Sequence, residues 1–176
     1  LVSNALERAE SIGIETKKVY LADFDIKFYV EEGMGCPKRL SEMCEEADVI
    51  VLGAPVYWGD INGLTKDFMD SVELQSANGK WALGIAVAGG TGKGLSSGIQ
   101  SIYHFFCHRQ MRGIDPTPVS RFNFNRALES VYESGRKLVE LSKEKVPFKN
   151  LQDRIEYYEK LEYMDNTPLD EIMLLA

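Results

Sequence analysis

Cysteine, basic charge and long apolar runs are all scarce in this 176-residue chain. The three cysteines are an odd set without the density of a disulfide framework, which favours a reducing, cytoplasmic setting. The net charge of −7 argues against a general nucleic-acid binder and against docking to anionic membrane surfaces. No apolar run approaches the roughly 20 residues of a membrane span, and no signal peptide is visible. The length is that of one domain with a sizeable core.

The most informative stretch is Asp48–Asp60, which reads DVIVLGAPVYWGD. The apolar run Val49–Leu52 stops at a glycine, and a continuous run of this kind is typical of a buried parallel strand. The loop that follows carries Tyr57 and Trp58 behind Pro55. Ligands of open parallel sheets bind beyond the carboxyl ends of strands, and planar ligands pack on aromatic faces. The loop is therefore either a ligand-binding loop or an ordinary strand-to-helix connection.

A second apolar run, Trp81–Ala88, leads into the glycine-rich segment Gly89–Gly94. This segment does not have the spacing of a phosphate-binding P-loop, because Lys93 is followed by glycine, and it also lacks a strict GxGxxG fingerprint. Glycines allow close backbone approach to a flat ligand, although a mobile surface loop has the same composition. Two strands that each end in a glycine-bearing loop suggest one ligand held between the loops.

Helical and strand-like segments alternate along the chain, which predicts an α/β fold with a doubly wound parallel sheet. The predicted helices are Leu1–Ile12, Ser41–Ala47 with Ser41 as N-cap, Ile61–Val72, Ser96–Met111 with Gly113 as its cap, and Arg126–Leu141. The predicted strands are Val19–Phe24, Asp48–Gly53, Trp81–Ala88 and a proline-interrupted edge strand, Ile114–Val119. Tyr29–Pro37 is predicted to be a loop.

Two groups of residues resemble metal ligands without meeting the requirements of a site. His104, Cys107 and His108 share one helical face, but no fourth ligand is near in sequence, and a partly buried aromatic face is favoured. Cys36 and Cys44 are too far apart for paired thiolate ligands and are interpreted as structural thiols. We predict no metal site, and no catalytic acid–base pair is identified.

Residues 147–176 are predicted to form a helical extension behind a sheet domain at residues 1–146. A helix is expected at Leu151–Tyr163, followed by a short apolar end, Ile172–Leu175. The apolar and aromatic residues of this tail are Tyr157, Tyr158, Leu161 and Tyr163. They follow the last helix that would cover the sheet, so we interpret the tail as a subunit contact. Its many carboxylates are typical of a solvated helix face.

Three segments together resemble the flavodoxin-like superfamily, and within it the branch of NADPH-dependent FMN reductases and iron–sulfur flavoproteins. They are ADVIVLGAPVYWGDINGLTKDFMD (Ala47–Asp70), IAVAGGTGKG (Ile85–Gly94) and IYHFFCHRQMRG (Ile102–Gly113). The segments stand in the family's order and cover roughly the middle half of the chain. The resemblance implies a three-layer α/β/α fold, a parallel sheet of strand order 2-1-3-4-5, and a homodimer or homotetramer.

The resemblance also implies FMN as cofactor, with its ring held by the loop Ala54–Asp60 and flanked by Ala88–Gly92. It implies NAD(P)H as co-substrate and a flavin, quinone or other small molecule as electron acceptor. The expected FMN-binding residues are Ala54, Pro55, Val56, Tyr57, Trp58, Gly59, Asp60, Gly89, Gly90, Thr91 and Gly92. The cofactor itself performs hydride chemistry in such enzymes, which fits the lack of an acid–base pair.

The sequence departs from this family pattern in two places. The family begins with a strand and a loop that binds the FMN phosphate at a helix N-terminus. Here Leu1 already lies in a predicted helix, so we expect about 15–20 preceding residues to be missing from this sequence. The iron–sulfur members carry closely spaced cysteines, whereas only Cys36 and Cys44 stand in the corresponding segment, and we expect no cluster.

Two alternatives to a reductase remain open from the sequence. One is a flavodoxin-type electron carrier between protein partners, which would oxidise little NAD(P)H. The other is a structural domain that kept the fold and lost the flavin.

Overall fold

The computed structural model describes residues 1–28 and 34–161. The helices are α1 Val2–Glu10, α2 Lys38–Glu46, α3 Gly63–Ser71, α4 Leu95–His108, α5 Phe124–Ser142 and α6 Leu151–Glu159, with a 3₁₀ turn at Leu21–Asp23. The strands are β1 Val49–Tyr57, β2 Asp60–Ile61, β3 Trp81–Val87, β4 Arg112–Gly113 and β5 Thr117–Val119. Within the described ranges, every helix is too short or too polar to cross a membrane.

The sheet is built on β1 and β3, which run parallel with Val49 opposite Trp81 and Pro55 opposite Val87. On its other side, β3 pairs in parallel with β4 at its start and with β5 at its end. The short strand β2 is antiparallel and pairs only with the tip of β1. The α/β fold with a parallel sheet is therefore confirmed, and the antiparallel β2 makes the sheet mixed.

Both faces of the sheet are covered by helices, which is why its strands read as continuous apolar runs. Leu83 and Ile85 of β3 belong to one core cluster, together with residues of α1 and α5. The alternate residues Ala82 and Ala86 belong to a second cluster on the opposite face, with residues of α3 and α4. Two separate cores on the two faces give the predicted α/β/α layering.

The ladder along β3 is interrupted between β4 and β5, and the Tyr103 side chain of α4 fills the gap. The Gly84 N–H donates to the Tyr103 hydroxyl at 3.2 Å, and that hydroxyl in turn donates to the Ile114 carbonyl. The ring fits because Gly84 lacks a side chain, since a Cβ there would lie 2.5 Å from Tyr103 Cε2. A buried side-chain hydroxyl thus satisfies two backbone groups that the split strand leaves unpaired.

The predicted strand Val19–Phe24 is wrong, because the structure has a 3₁₀ turn at Leu21–Asp23 there and no ladder partner among the described residues. Its apolar residues pack individually against the core cluster that contains α3. The strand order in the described ranges is therefore β2-β1-β3-β4, with β5 beside β3, and differs from the expected 2-1-3-4-5. Residues 29–33 of the predicted Tyr29–Pro37 loop lie outside the described ranges.

Two helix ends also differ from their prediction. Pro37, rather than Ser41, precedes the first residue of α2, so Ser41 lies inside the helix, where its buried hydroxyl oxygen accepts the Glu73 N–H at 3.1 Å. Helix α4 ends at His108, and its cap is formed at Gln110 rather than Gly113. Gln110 has φ +61°, its N–H donates to the Cys107 carbonyl at 3.1 Å, and the Met111 N–H donates to the Phe106 carbonyl at 2.9 Å. These bonds form a Schellman cap with glutamine in the position that usually holds glycine.

The tail as far as Leu161 packs on this chain's own core. Tyr158 and Leu161 are each 7% exposed, and the Tyr158 hydroxyl donates to the Met111 carbonyl at 2.7 Å. The same hydroxyl accepts the Gly113 N–H at 3.2 Å, and Tyr157 donates to the Gly113 carbonyl at 2.8 Å. The short β4 leaves backbone groups for these tyrosines to bind, so their burial does not support the subunit-contact interpretation. Tyr163 and Ile172–Leu175 lie outside the described residues.

Candidate functional site

Three loops meet at the carboxyl edge of the sheet, because β1, β3 and β5 are parallel and end on the same side. They are Trp58–Gly59 after β1, Ala88–Gly94 after β3, and Ser120–Asn123 between β5 and α5. The second and third are joined by the Ala88 N–H, which donates to the Val119 carbonyl at 2.9 Å. This is the edge where open parallel sheets bind ligands.

The first loop is a tight hairpin that presents two aromatic rings to solvent. Val56 pairs with Ile61 and Tyr57 with Asp60, which leaves Trp58 and Gly59 as the two turn residues. Their φ angles are +55° and +97°, the pattern of a type I′ turn. Tyr57 is 63% exposed and Trp58 is fully exposed. A bulky residue at positive φ carries strain of about 1–3 kcal/mol, and such strain clusters at functional sites.

The hairpin is fixed to α4 by its last residue. The Asp60 carboxylate accepts the Ser101 hydroxyl at 2.8 and 3.1 Å and the Ile61 N–H at 2.7 Å. Gly98 allows the helix to approach, since a Cβ there would lie 2.9 Å from Val56 Cγ2. Asp60, expected from the sequence to touch the cofactor, thus has both carboxylate oxygens occupied by protein donors.

The hairpin and the glycine loop touch through two glycines. A Cβ at Gly94 would lie 2.5 Å from Gly59 Cα, so only glycine permits this approach. Gly94 also has φ +85° and precedes the first residue of α4. The two loops therefore form one continuous surface, and the ligand expected between them stays a prediction.

The glycine loop is open on its outer side. Gly89 and Gly90 are exposed, and a Cβ at either would meet no atom within 4 Å. Thr91 is also exposed, whereas Gly92 is buried against Leu95 and the third loop. Backbone atoms at the first two glycines are thus accessible to a flat ligand lying across the loop.

The expected cofactor residues divide into two groups by burial. Ala54 and Val56 are 2% and 8% exposed, and their side chains lie in the core beneath α4. Tyr57, Trp58, Gly89, Gly90 and Thr91 are exposed at the edge, while Pro55 and Gly59 are half-buried. Side-chain contacts with a ligand are therefore available from Tyr57, Trp58 and Thr91, and backbone contacts from the two open glycines.

The third loop, Ser120–Asn123, and Phe124 at the start of α5 are not among the residues that the sequence predicts to bind the cofactor. Phe122 is 70% exposed and Phe124 44% exposed, and the Arg121 guanidinium lies 4.7 Å from the Phe122 ring centroid. Asn123 holds the loop, since its side-chain oxygen accepts the Ser120 N–H at 2.8 Å and its amide donates to the Pro118 carbonyl at 2.9 Å. In the sequence, phenylalanines next to a long helix resemble core residues, so their exposure in this loop was not predicted.

The cysteines and histidines do not form a reactive or metal-binding cluster in the described ranges. There, no three His, Cys, Asp or Glu side chains lie close enough to share a metal ion. Burial raises the pKa of Cys36 and Cys107, and it raises the pKa of Cys44 to about 11. The thiolate is the nucleophile and metal ligand, so three neutral thiols agree with the structural interpretation.

Comparison with known proteins finds one matching family model and two related flavoproteins. A family model described as NADPH-dependent FMN reductase matches residues 1–121. An iron–sulfur flavoprotein of Methanocaldococcus jannaschii is 29% identical, with 81% of this chain and 89% of that protein covered. A second iron–sulfur flavoprotein, from Archaeoglobus fulgidus, is 31% identical over 36% of each chain.

Solved structures share the fold at low identity. An archaeal flavodoxin superposes with a TM-score of 0.61 at 16% identity, covering 81% of this chain and 87% of its own. An NADPH-quinone reductase from P. pentosaceus superposes with a TM-score of 0.55 at 18% identity, covering 76% and 87%. These similarities identify the fold as flavodoxin-like.

Proposed function

The chain belongs to the NADPH-dependent FMN reductase family, and from that premise we propose that it takes electrons from NAD(P)H through bound FMN and passes them to a flavin, quinone or other small acceptor. Membership of this family makes the protein an FMN-dependent oxidoreductase-like flavoprotein. The nicotinamide donor, the acceptor and a homodimeric or homotetrameric state belong to the proposal.

One observation carries the proposal: two exposed aromatic side chains on a strained turn stand beside an open glycine loop at the carboxyl edge. Trp58 is fully exposed although burying such a ring would remove a large apolar surface from water. A planar, partly apolar ligand would cover Tyr57 and Trp58 and meet backbone donors at Gly89 and Gly90. The residues therefore fit the ring of a flavin.

These residues fit the flavin ring, and other residues would have to bind the phosphate of FMN. In the described ranges, no strand precedes α1, so the phosphate-binding loop that the resemblance implies is not among them. When bound, FMN supplies hydride acceptance and electron transfer. Tyr57 and Trp58 would hold and orient the ring, Gly89 and Gly90 would offer backbone groups to it, and the open outer side of the glycine loop would leave room for a second planar molecule.

The relatives' name raises the question of an iron–sulfur cluster, and we propose that this chain binds none on its own. A cluster held by cysteines uses about four thiolates. The whole sequence contains three cysteines, and the buried surroundings of Cys36, Cys44 and Cys107 favour neutral thiols.

The test is a visible absorption spectrum of the purified protein after incubation with FMN, followed by anaerobic addition of NADPH or NADH. Bands at about 375 and about 450 nm that co-purify with the protein would establish the flavin, and their bleaching by either nucleotide would establish the reductase. Persistent bands would favour an electron carrier. A protein that stays colourless after incubation with FMN would contradict both flavin hypotheses. Iron analysis of the same sample tests the cluster.

A further inference from the structure

A groove beside the proposed ring site is lined by the six consecutive residues Arg121–Arg126, and we call it the 121–126 groove. It exposes the rings of Phe122 and Phe124. Its two guanidinium groups have no carboxylate partner in the described ranges, and the sequence from Pro116 to Leu128 contains no Asp or Glu. In a chain with a net charge of −7, an apolar surface with local positive charge favours a partner surface that is apolar and acidic.

The outer face of α6 has this complementary composition. Leu151 and Ile155 lie one helical turn apart and are both exposed, and Glu159 continues the same row. Glu156 is exposed beside them, and neither glutamate forms an ion pair in the part of the chain that the structure describes. We call these four residues the α6 stripe. The stripe is separate from the inner face of the helix, where Tyr158 is buried in this chain's own core.

The groove and the α6 stripe lie beside the same edge of the sheet, at opposite ends of it. The groove follows β5, which pairs with the end of β3. Helix α6 lies beside β4, which pairs with the start of β3, and the Tyr158 hydroxyl accepts the Gly113 N–H of β4 at 3.2 Å. A twofold axis that passes beside this edge and reverses the strand direction brings the groove of one copy towards the stripe of the other. The same contact then occurs twice, which doubles the buried surface.

We propose that the 121–126 groove binds the α6 stripe of a second copy of this chain, in a twofold dimer that contains the contact twice. The two phenylalanines of the groove pack against the leucine and the isoleucine of the stripe, and the two arginines pair with its two glutamates. Burial of the apolar side chains supplies the attraction, and the opposite charges select the orientation.

The contact places a helix of the partner subunit beside the proposed ring site. The groove adjoins the glycine loop, since a Cβ at Gly92 would lie 3.2 Å from Ser120 Cβ, and the Ala88 N–H donates to the Val119 carbonyl. The partner's α6 therefore borders the open side of that loop. The inference rests on the homo-oligomeric state included in the proposed function, and it does not depend on the reductase reaction.

Charge exchange between the two surfaces tests the contact. The groove variant carries Arg121→Glu and Arg126→Glu, and the stripe variant carries Glu156→Arg and Glu159→Arg. Each variant alone places like charges opposite each other, so the dimer dissociation constant of the full chain should rise at least about tenfold. Analytical ultracentrifugation measures it. An equimolar mixture of the two variants has opposite charges at both contacts, and it should form a heterodimer about as stable as the unaltered dimer.

Lys17→Glu combined with Lys143→Glu is the matched control, because it changes the net charge as the groove variant does, at two exposed lysines outside both surfaces. The control should keep the dissociation constant of the unaltered protein. A monomeric unaltered protein overturns the proposal, and so does a mixture that stays monomeric. An oligomer that persists in both variants rejects this interface and leaves the proposed oligomeric state intact. None of these outcomes involves flavin reduction, so the absorption spectrum tests the reductase proposal separately.

Discussion

The two ends of the sheet are built in opposite ways. At the amino edge, the Trp81 indole N–H donates to the Glu144 carbonyl at 3.2 Å, and the buried Lys80 ammonium donates to the Cys44 and Glu45 carbonyls at the end of α2. Arg112 lies 4.0 Å from the Phe148 ring centroid. Each of these large polar side chains has a partner within the chain, and in that sense we call this end the closed end.

The carboxyl edge instead leaves several aromatic rings and basic side chains exposed. Tyr57, Trp58 and Phe122 are each more than 60% exposed, and Arg121 and Arg126 have no carboxylate partner in the described part of the chain. The strands are the same at both ends, so the difference lies in the loops. The comparison separates residues that stabilise the fold from residues available to bind a ligand.

A glycine at the closed end provides the largest expected loss of stability. Gly79 has φ +84°, and a Cβ there would lie 2.6 Å from the Pro147 backbone nitrogen. Gly79→Ala should lower the free energy of unfolding by roughly 2–4 kcal/mol, from backbone strain plus overpacking. Urea denaturation measures the loss. FMN affinity of the folded protein should not change.

Gly13→Ala is the matched control for that substitution. Gly13 has φ +85°, but a Cβ there meets no atom within 4 Å, so only the backbone strain of about 1–2 kcal/mol remains. Equal losses in the two variants would show that the contact with Pro147 contributes nothing.

Removal of the Tyr103 hydroxyl should cause the next largest loss of stability. Tyr103→Phe leaves the Gly84 N–H and the Ile114 carbonyl without a partner in the core, which should cost about 1–3 kcal/mol. Hydrogen exchange should accelerate at Gly84, which lies where the ladder between β3 and its neighbour is interrupted. Unaltered exchange at that amide would mean that another group satisfies it.

Alkaline pH should weaken the closed end through its tyrosines. Burial raises the pKa of Tyr157 to about 12, against 10.0 for an unburied tyrosine, and it raises the pKa of Tyr103 and Tyr158 further. The unfolded chain therefore releases these protons first. The stabilisation is fully present below pH 10 and is lost as the pH rises from 10 through 12.

The titration of Lys80 changes the free energy of unfolding in the opposite direction, and at lower pH than the tyrosines do. Burial lowers its pKa from 10.5, so its contribution to stability increases as the pH rises towards that value.

Tyr157→Phe should make the unfolding free energy decline less steeply between pH 10 and 12. The change in slope should be smaller than the full ~1.4 kcal/mol per pH unit, because Tyr157 is partly exposed. Parallel declines for the variant and the unaltered protein would exclude Tyr157 as a source of the pH dependence.

The parts of the fold that are predictable from the sequence are those buried on two sides. Val49–Leu52 and Trp81–Ala88 are continuous apolar runs because each strand has helices on both faces, and their glycine-bearing ends identify the carboxyl edge. Val19–Phe24 has a similar composition, but its residues pack singly on the core, and no described strand lies beside it. Local sequence does not report whether a ladder partner exists.

The parts of the site that escaped prediction depend on contacts distant in sequence. The Asp60 carboxylate is held by the Ser101 hydroxyl, and Asn123 fixes the loop that carries Phe122 to Pro118. In sequence, an aspartate beside an aromatic pair resembles a ligand, and a phenylalanine at the start of a helix resembles core. The contact of Tyr158 with the Gly113 N–H was likewise not predictable, because it depends on the shortness of β4, and the subunit contact of the tail stays a prediction.

The two substitutions with the smallest expected effect on stability compare the open end and the closed end directly. Trp58 and Gln110 both have positive φ, at +55° and +61°, at the open and closed ends respectively. Glycine at either position should relieve backbone strain of about 1–2 kcal/mol, but its greater loss of backbone entropy costs about 0.5–1 kcal/mol, so the free energy of unfolding should rise by roughly 0.5–1 kcal/mol. For Gln110→Gly this is the whole effect, because the residue only caps α4. Trp58→Gly should in addition weaken FMN binding, measured by fluorescence titration, since it removes the ring proposed to lie against the flavin. Equal FMN affinity in the two variants would show that the exposed tryptophan has no part in binding, and the strain at Trp58 would then need another cause.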